Sequence, residues 1–148
     1  MPLDWQIPLG RSFRALKLWF VLRTFGLEGL RAHIRHGFSL AAEFEQLVKN
    51  DEAKRFEIFT EPQLALVCFR LNHKLARLSS MPLKDQNVLN KRLLDAVNET
   101  GKAFMVHTEL ASHLVLRFAP GNPMTKEIHV QNTFRLVCQE ADKILASL

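Results

Sequence analysis

The amino-acid sequence predicts an α+β fold: a short, mostly antiparallel sheet with its helices kept to one face, in the order α-α-β-β-α-β-β-α. Three observations carry this. Apolar residues recur at steps of three and four through Asn50, the pattern then breaks into short phenylalanine-rich runs, and HLVLRF near the end alternates strictly. No fixed-period repeat appears. With 148 residues, 47% of them hydrophobic, one core of moderate size is expected.

The first helix, Arg11–Phe25, places Phe13, Leu16 and Phe20 on one face and Leu18, Val21, Leu22 and Phe25 on a second, leaving Arg11, Arg14 and Lys17 a narrow strip. A helix apolar on two sides has to be covered on two sides. Two layers cannot do that, so this helix calls for a partner from outside the fold, and the isolated chain is expected to self-associate. Gly26 is placed to end it as a left-handed cap. A second helix, Leu27–Asn50, has Leu27, Leu30, Ile34, Phe38, Ala41, Phe44 and Val48 as its apolar row.

Phe56–Thr60 and Leu64–Leu71 read as strands paired across Glu61-Pro62-Gln63. Asn72–Lys84 is basic and irregular and reads as a surface loop. Asp85 can cap a third helix with Leu89, Leu93, Ala96 and Val97 inward and Gly101 at its end. Ala103–Leu110 and Ser112–Ala119 are strands, with Leu114, Leu116 and Phe118 towards the helices. Thr125 can cap a last helix whose row is Val130, Phe134, Val137, Ala141 and Ile144.

Apolar runs such as Leu18–Leu22 fall far short of the roughly 20 residues of a membrane span. Met1–Gly10 has no basic leader followed by an apolar stretch, so no secretory signal is expected. Two cysteines on apolar faces, Cys68 and Cys138, fit a reducing, cytoplasmic compartment. The net charge of +5 raises the question of nucleic acid. Its basic residues are dispersed over Arg11–Arg35, Lys49–Arg55 and Lys74–Arg92 among Glu43, Glu45, Glu52 and Asp95, and there is no tyrosine to stack on bases. A basic nucleic-acid-binding module is therefore the lesser alternative.

His33 and His36 are spaced i, i+3 but lack a third ligand at a plausible spacing, and no metal site is expected. His107 and His113 fall in neighbouring strands near Glu109, which would suit acid–base work, although strand-end histidines are more commonly ordinary hydrogen-bonded residues. Cys68, inside LALVCFRL, reads as a small hydrophobe. GxSxG, GxxxxGK[ST] and GxGxxG are all missing. Taken alone, these residues describe a globular piece without a catalytic centre.

The stretch DWQIPLGRSFRALKLWFVLRTFGLEGLRAHIRHG closely resembles a segment of the aromatic-L-amino-acid decarboxylases, pyridoxal-phosphate (PLP) enzymes that include the DOPA, tyrosine and tryptophan decarboxylases and their aldehyde-synthase relatives. FEQLVKNDEAKRFEIF, LALVCFRLN, LLDAVNETGKAFMVHTEL, HLVLRFAPG and EIHVQNTFRLVCQEADKIL continue the likeness in the family's order. The resemblance implies the small C-terminal domain of a fold-type I PLP enzyme. Residues 1–26 would be the end of the PLP-binding large domain and a connecting helix, and 27–148 the small domain.

The implied activity is loss of CO₂ from an aromatic amino acid, with PLP held as a Schiff base on a lysine that follows a histidine. That pair lies upstream of Trp5–Gly10 in the family. No catalytic residue is thus expected in this chain, and the isolated chain should be inactive. His73-Lys74 imitates the dipeptide but falls after the segment rather than before it, and is rejected. The one position carried over as adjacent to substrate and cofactor is Gly10, where a glycine leaves room for an indole or another bulky ring. An aromatic amino-acid substrate, reached through the parent enzyme, and a homodimer are the implied partners. Met1-Pro2-Leu3 replaces the family's lead-in, with Leu3 where members carry a basic residue, so a truncated product or fragment is expected. The alternative from another class is a non-catalytic dimerisation or regulatory partner of a full-length paralogue.

Overall fold

The structure, a computed structural model, describes residues 15–148. They divide into two compact units, the first closing at His33 and the second running Ile34–Leu148.

Helix α1 (Ala15–Lys49) opens in the first unit. At Gly26 its backbone turns to φ 62°, ψ −176°, a region that essentially only glycine enters. A Cβ there would meet nothing within 4 Å, so the demand is on conformation and not on space. The helix resumes at once, so the two helices read from the sequence are both present and meet at a kink at Gly26.

In the second unit, α1 buries Gly37, Leu40, Ala41, Phe44 and Val48. The expected row also held Ile34 and Phe38, and both are exposed instead. Gly37 explains the difference. A Cβ on it would lie 3.4 Å from the Ala65 Cβ and 3.5 Å from the Pro120 carbonyl oxygen, so the close approach turns the Gly37 side inward. Leu40 then takes the place expected for Phe38.

Strands β1 (Phe56–Ile58), β2 (Val67–Leu71), β3 (Val106–Leu110) and β4 (His113–Phe118) form one antiparallel sheet in the order β1-β2-β4-β3. Ala111 and Ser112, with φ of 48° and 65°, close the β3–β4 hairpin as a two-residue turn whose twist matches that of the strands. Helices α2 (Leu83–Glu99) and α3 (Glu127–Ala146) complete the fold. Leu116 and Phe118 enter the helix-side core, and Leu114 packs against it, as the alternation predicts. Rings from four elements meet there: Phe44 lies parallel to Phe118 at 4.0 Å, and Phe69 and Phe134 stand 5.1 and 5.8 Å from it.

Polar side chains on α2 tie this helix to the strand ends. The Asn90 Oδ1 accepts the Leu71 N–H at 2.9 Å, the Asn87 Oδ1 accepts the Leu114 N–H at 2.9 Å, and Asn98 both accepts from Met105 N–H and donates to its carbonyl. These bonds satisfy backbone groups that would otherwise be stranded beneath the helix. The expected caps fall elsewhere. Pro82 precedes α2 and Asp85 sits within its first turn, where a carboxylate complements the helix dipole. Lys126, not Thr125, is the N-cap of α3, and the Thr125 carbonyl accepts a hydrogen bond from His36 Nε2 at 2.8 Å. In the segment expected as a surface loop, Asn72–Lys84, residues 73–81 are turns and bends that carry Leu78 into the core at 1% exposure, and Leu83 and Lys84 already belong to α2.

Candidate functional site

Strand β2 turns Val67, Phe69 and Leu71 towards the helices and carries Cys68 and Arg70 on its other side. Arg70 is 7% exposed, and a charge so enclosed needs partners on the spot. Its Nε donates to Glu57 Oε1 at 2.5 Å, between residues that are register partners across β1 and β2. Nη1 reaches His113 Nδ1 at 2.6 Å. A guanidinium has only donors, so His113 Nδ1 accepts and the ring is neutral, its proton on Nε2.

Burial, and then the Arg70 charge, hold the His113 pKa below its usual 6.5. His73 Nδ1 lies 2.8 Å from Glu57 Oε2 and donates there. Its 3.4 Å approach to Arg70 Nη2 therefore sets two donors side by side and is no hydrogen bond. Phe59 covers the group, its ring centroid 4.9 Å from the guanidinium carbon and 5.2 Å from the His113 ring. Every member of this cluster is committed to a neighbour, so it fixes geometry and offers no free nucleophile or base.

His107 and His113, which the sequence brings near Glu109, lie on opposite faces of the sheet. His107 pairs with Leu116 on the helix side, whereas His113 pairs with Leu110 on the other. They form no acid–base pair. Cys68 is buried and structural, as read. Cys138, half-buried beside Arg55, has its thiol pushed up to about 11 by burial, which leaves it a poor nucleophile. Arg55 joins α3 to the end of α1 by a forked contact with Asp142, at 2.6 and 3.1 Å, and a further bond to Asp51. Gly10 lies outside the described residues. Sequence reading passed over Glu57 and Arg70; the signal was a lone charge of matching strand parity in each of FEIF and VCFRL.

The first unit presents a different surface. Leu16, Leu18, Trp19, Phe20, Val21, Leu22 and Phe25 are all exposed, Leu18 at 61% and Phe25 at 58%. They sit all round the helix, the pattern of a segment made to be covered.

Residues 2–72 match the family model described as the pyridoxal-dependent decarboxylase conserved domain. Among curated proteins, phenylacetaldehyde synthase of Arabidopsis thaliana is 50% identical over 146 residues, 96% of this chain and 28% of that protein. Tryptophan decarboxylase 2 of Oryza sativa subsp. japonica is 45% identical over 98% of this chain and 28% of its own length. Along nearly its whole length the chain is similar to pyridoxal-dependent decarboxylases. The crystal structure of Oryza sativa TDC with PLP and tryptamine superposes with a TM-score of 0.82 at 38% identity, covering 95% of this chain and 29% of that one. Catharanthus roseus tryptophan decarboxylase in complex with L-tryptophan gives 0.78 at 40% identity, over 95% and 28%. The chain thus spans little more than a quarter of the length of the decarboxylases it matches, in keeping with a carboxy-terminal portion.

PLP is the cofactor of this family, and the described residues do not by themselves fit it. Every lysine among them is exposed, Lys74 included. Lys102 borders an open groove of about 670 Å³, but no carboxylate lines that groove to pair a pyridinium nitrogen. No step of the family's chemistry is assigned to these side chains.

Proposed function

We propose that this chain is the carboxy-terminal portion of a PLP-dependent aromatic amino-acid decarboxylase, where it completes the active-site wall and supports a homodimer. The observation that carries this reading is the alignment of 95% of the chain with tryptophan-decarboxylase structures that cover it at 38–40% identity. The apolar surface of the first unit supports it, because a helix exposed on all its apolar sides is suited to packing against further chain. On this reading residues 1–26 end the PLP-binding large domain and lead out of it, and 27–148 form the small domain of a cytoplasmic enzyme. Gly10 borders the aromatic ring of the substrate.

By itself the 148-residue chain is inactive on this proposal. Incubated with PLP and reduced with borohydride, it should trap no stoichiometric adduct at any one lysine and release no CO₂ from tryptophan or tyrosine. A single-site adduct accompanied by CO₂ release would overturn the assignment. In the parent enzyme, Gly10→Ser should lower kcat/KM for tryptophan relative to tyrosine by on the order of tenfold, since crowding a pocket by one small group is worth about 1–3 kcal/mol. An unchanged ratio would remove Gly10 from the ring's surroundings.

A further inference from the structure

Strand β3 is an edge: among the described residues it pairs with β4 alone. The hairpin turn determines which of its backbone groups are left over. In a two-residue hairpin the closing pair, here Leu110 and His113, exchanges both backbone hydrogen bonds. By alternation so do Thr108 with Val115 and Val106 with Arg117. The N–H and C=O of His107 and Glu109 therefore point away from β4. One residue before the strand the edge is closed off, because Asn98 takes up both the N–H and the carbonyl of Met105.

We propose that this edge pairs with itself, so that two copies of the chain join antiparallel through β3 into one eight-stranded sheet with its twofold axis at Thr108. This register is the one that uses all the open groups. It sets His107 against Glu109 of the second copy and Glu109 against His107 of the second copy, with two backbone hydrogen bonds in each pair. A register centred on His107 would place Glu109 against the occupied Met105. One centred on Glu109 would oppose like carboxylates.

The side chains agree with the backbone. On the helix side of the sheet an imidazole faces a carboxylate twice, and on the other side Val106, 43% exposed, faces Leu110 twice. Thr108 meets its own twin. The strand carries no proline, no lysine and no bulge, and its one charge, Glu109, is the group that this register sets against His107. An isologous contact of this kind closes as a dimer and leaves no further edge of the same type. This inference rests on the hairpin geometry and stands apart from the enzymatic reading.

Two experiments on the full chain test it. In Thr108→Cys the twinned residues form a pair outside the backbone hydrogen bonds, where Cα atoms lie about 4.5 Å apart, within disulfide reach. Mild oxidation should give a 108–108 bridge, identified by peptide mapping, at least tenfold faster than any bridge in Val106→Cys, whose twin would lie about 13 Å away along the strand. Cross-linking of the two variants at equal rates overturns the proposal, whatever other surface associates.

In sedimentation, His107→Pro removes an outward N–H at a position where an edge strand tolerates proline, and should weaken self-association at least tenfold with the circular dichroism spectrum retained. Glu109→Lys should weaken it as well, and adding His107→Glu should restore it by setting a carboxylate against the introduced lysine. Unaltered association in His107→Pro, or no recovery in the double variant, overturns the proposal.

Discussion

Phe44→Ala should lower the unfolding free energy by about 3–5 kcal/mol. Phe44 is fully buried, lies parallel to Phe118 at 4.0 Å and has Phe69 and Phe134 within 6 Å. Removing its ring opens a cavity between α1, β2, β4 and α3, and the neighbouring aromatic side chains are too stiff to collapse into it. A domain of this size is stable by roughly 5–15 kcal/mol, so the loss is a large share of the whole. Phe38, on the same helix but 38% exposed, provides the contrast: Phe38→Ala should shift stability by no more than about 0.5 kcal/mol. Urea melts of the two variants decide it. A loss below about 1 kcal/mol for Phe44→Ala, or equal losses for the pair, would place the buried face of α1 wrongly.

That contrast marks how far sequence pattern reaches. Steps of three and four run through both Ile34–Phe38 and Leu40–Phe44, and periodicity cannot choose between two apolar rows a fraction of a turn apart. The choice comes from tertiary contact, at Gly37 against Ala65 and Pro120. The alternation of HLVLRF was legible because Leu114, Leu116 and Phe118 meet the helices. Val115, fully buried on the face away from the helices, was not, since the alternation rule assumes a wet outer face.

Asn87, Asn90 and Asn98 look like the solvent side of α2 in a pattern reading, yet each holds a strand end. The break at Gly26 was readable because positive φ has one dominant residue signature. The candidate site was less accessible. Arg70 and Glu57 share strand parity, but only the β1–β2 register makes them partners. Function came from the order of the resembling blocks and not from composition, which contains no catalytic pattern.

Arg70→Met should cost about 3–5 kcal/mol, the usual penalty for removing one member of an enclosed ion pair. The guanidinium is 8% exposed and Glu57 21%, so the carboxylate left behind keeps only His73 and little water. Most of that penalty belongs to the stranded charge rather than to the bond itself. Arg70→Met with Glu57→Gln should therefore recover a good part of the loss, and the double-mutant cycle should show clear coupling. Strict additivity, or a single-variant cost below about 0.5 kcal/mol, would mean that the pair is solvated and contributes little.

The same cluster sets a pH dependence. His113 is held neutral in the folded state, its pKa depressed below 6.5 by burial and by Arg70. The unfolded chain binds a proton there more readily, so stability is fully present above about 6.5 and is lost as pH falls from that value towards the lowered folded one. His113→Gln retains an acceptor for Arg70 and should flatten this acid-side slope. A slope unchanged by the substitution would assign the acid sensitivity to other groups and leave the neutral His113 a bystander to folding.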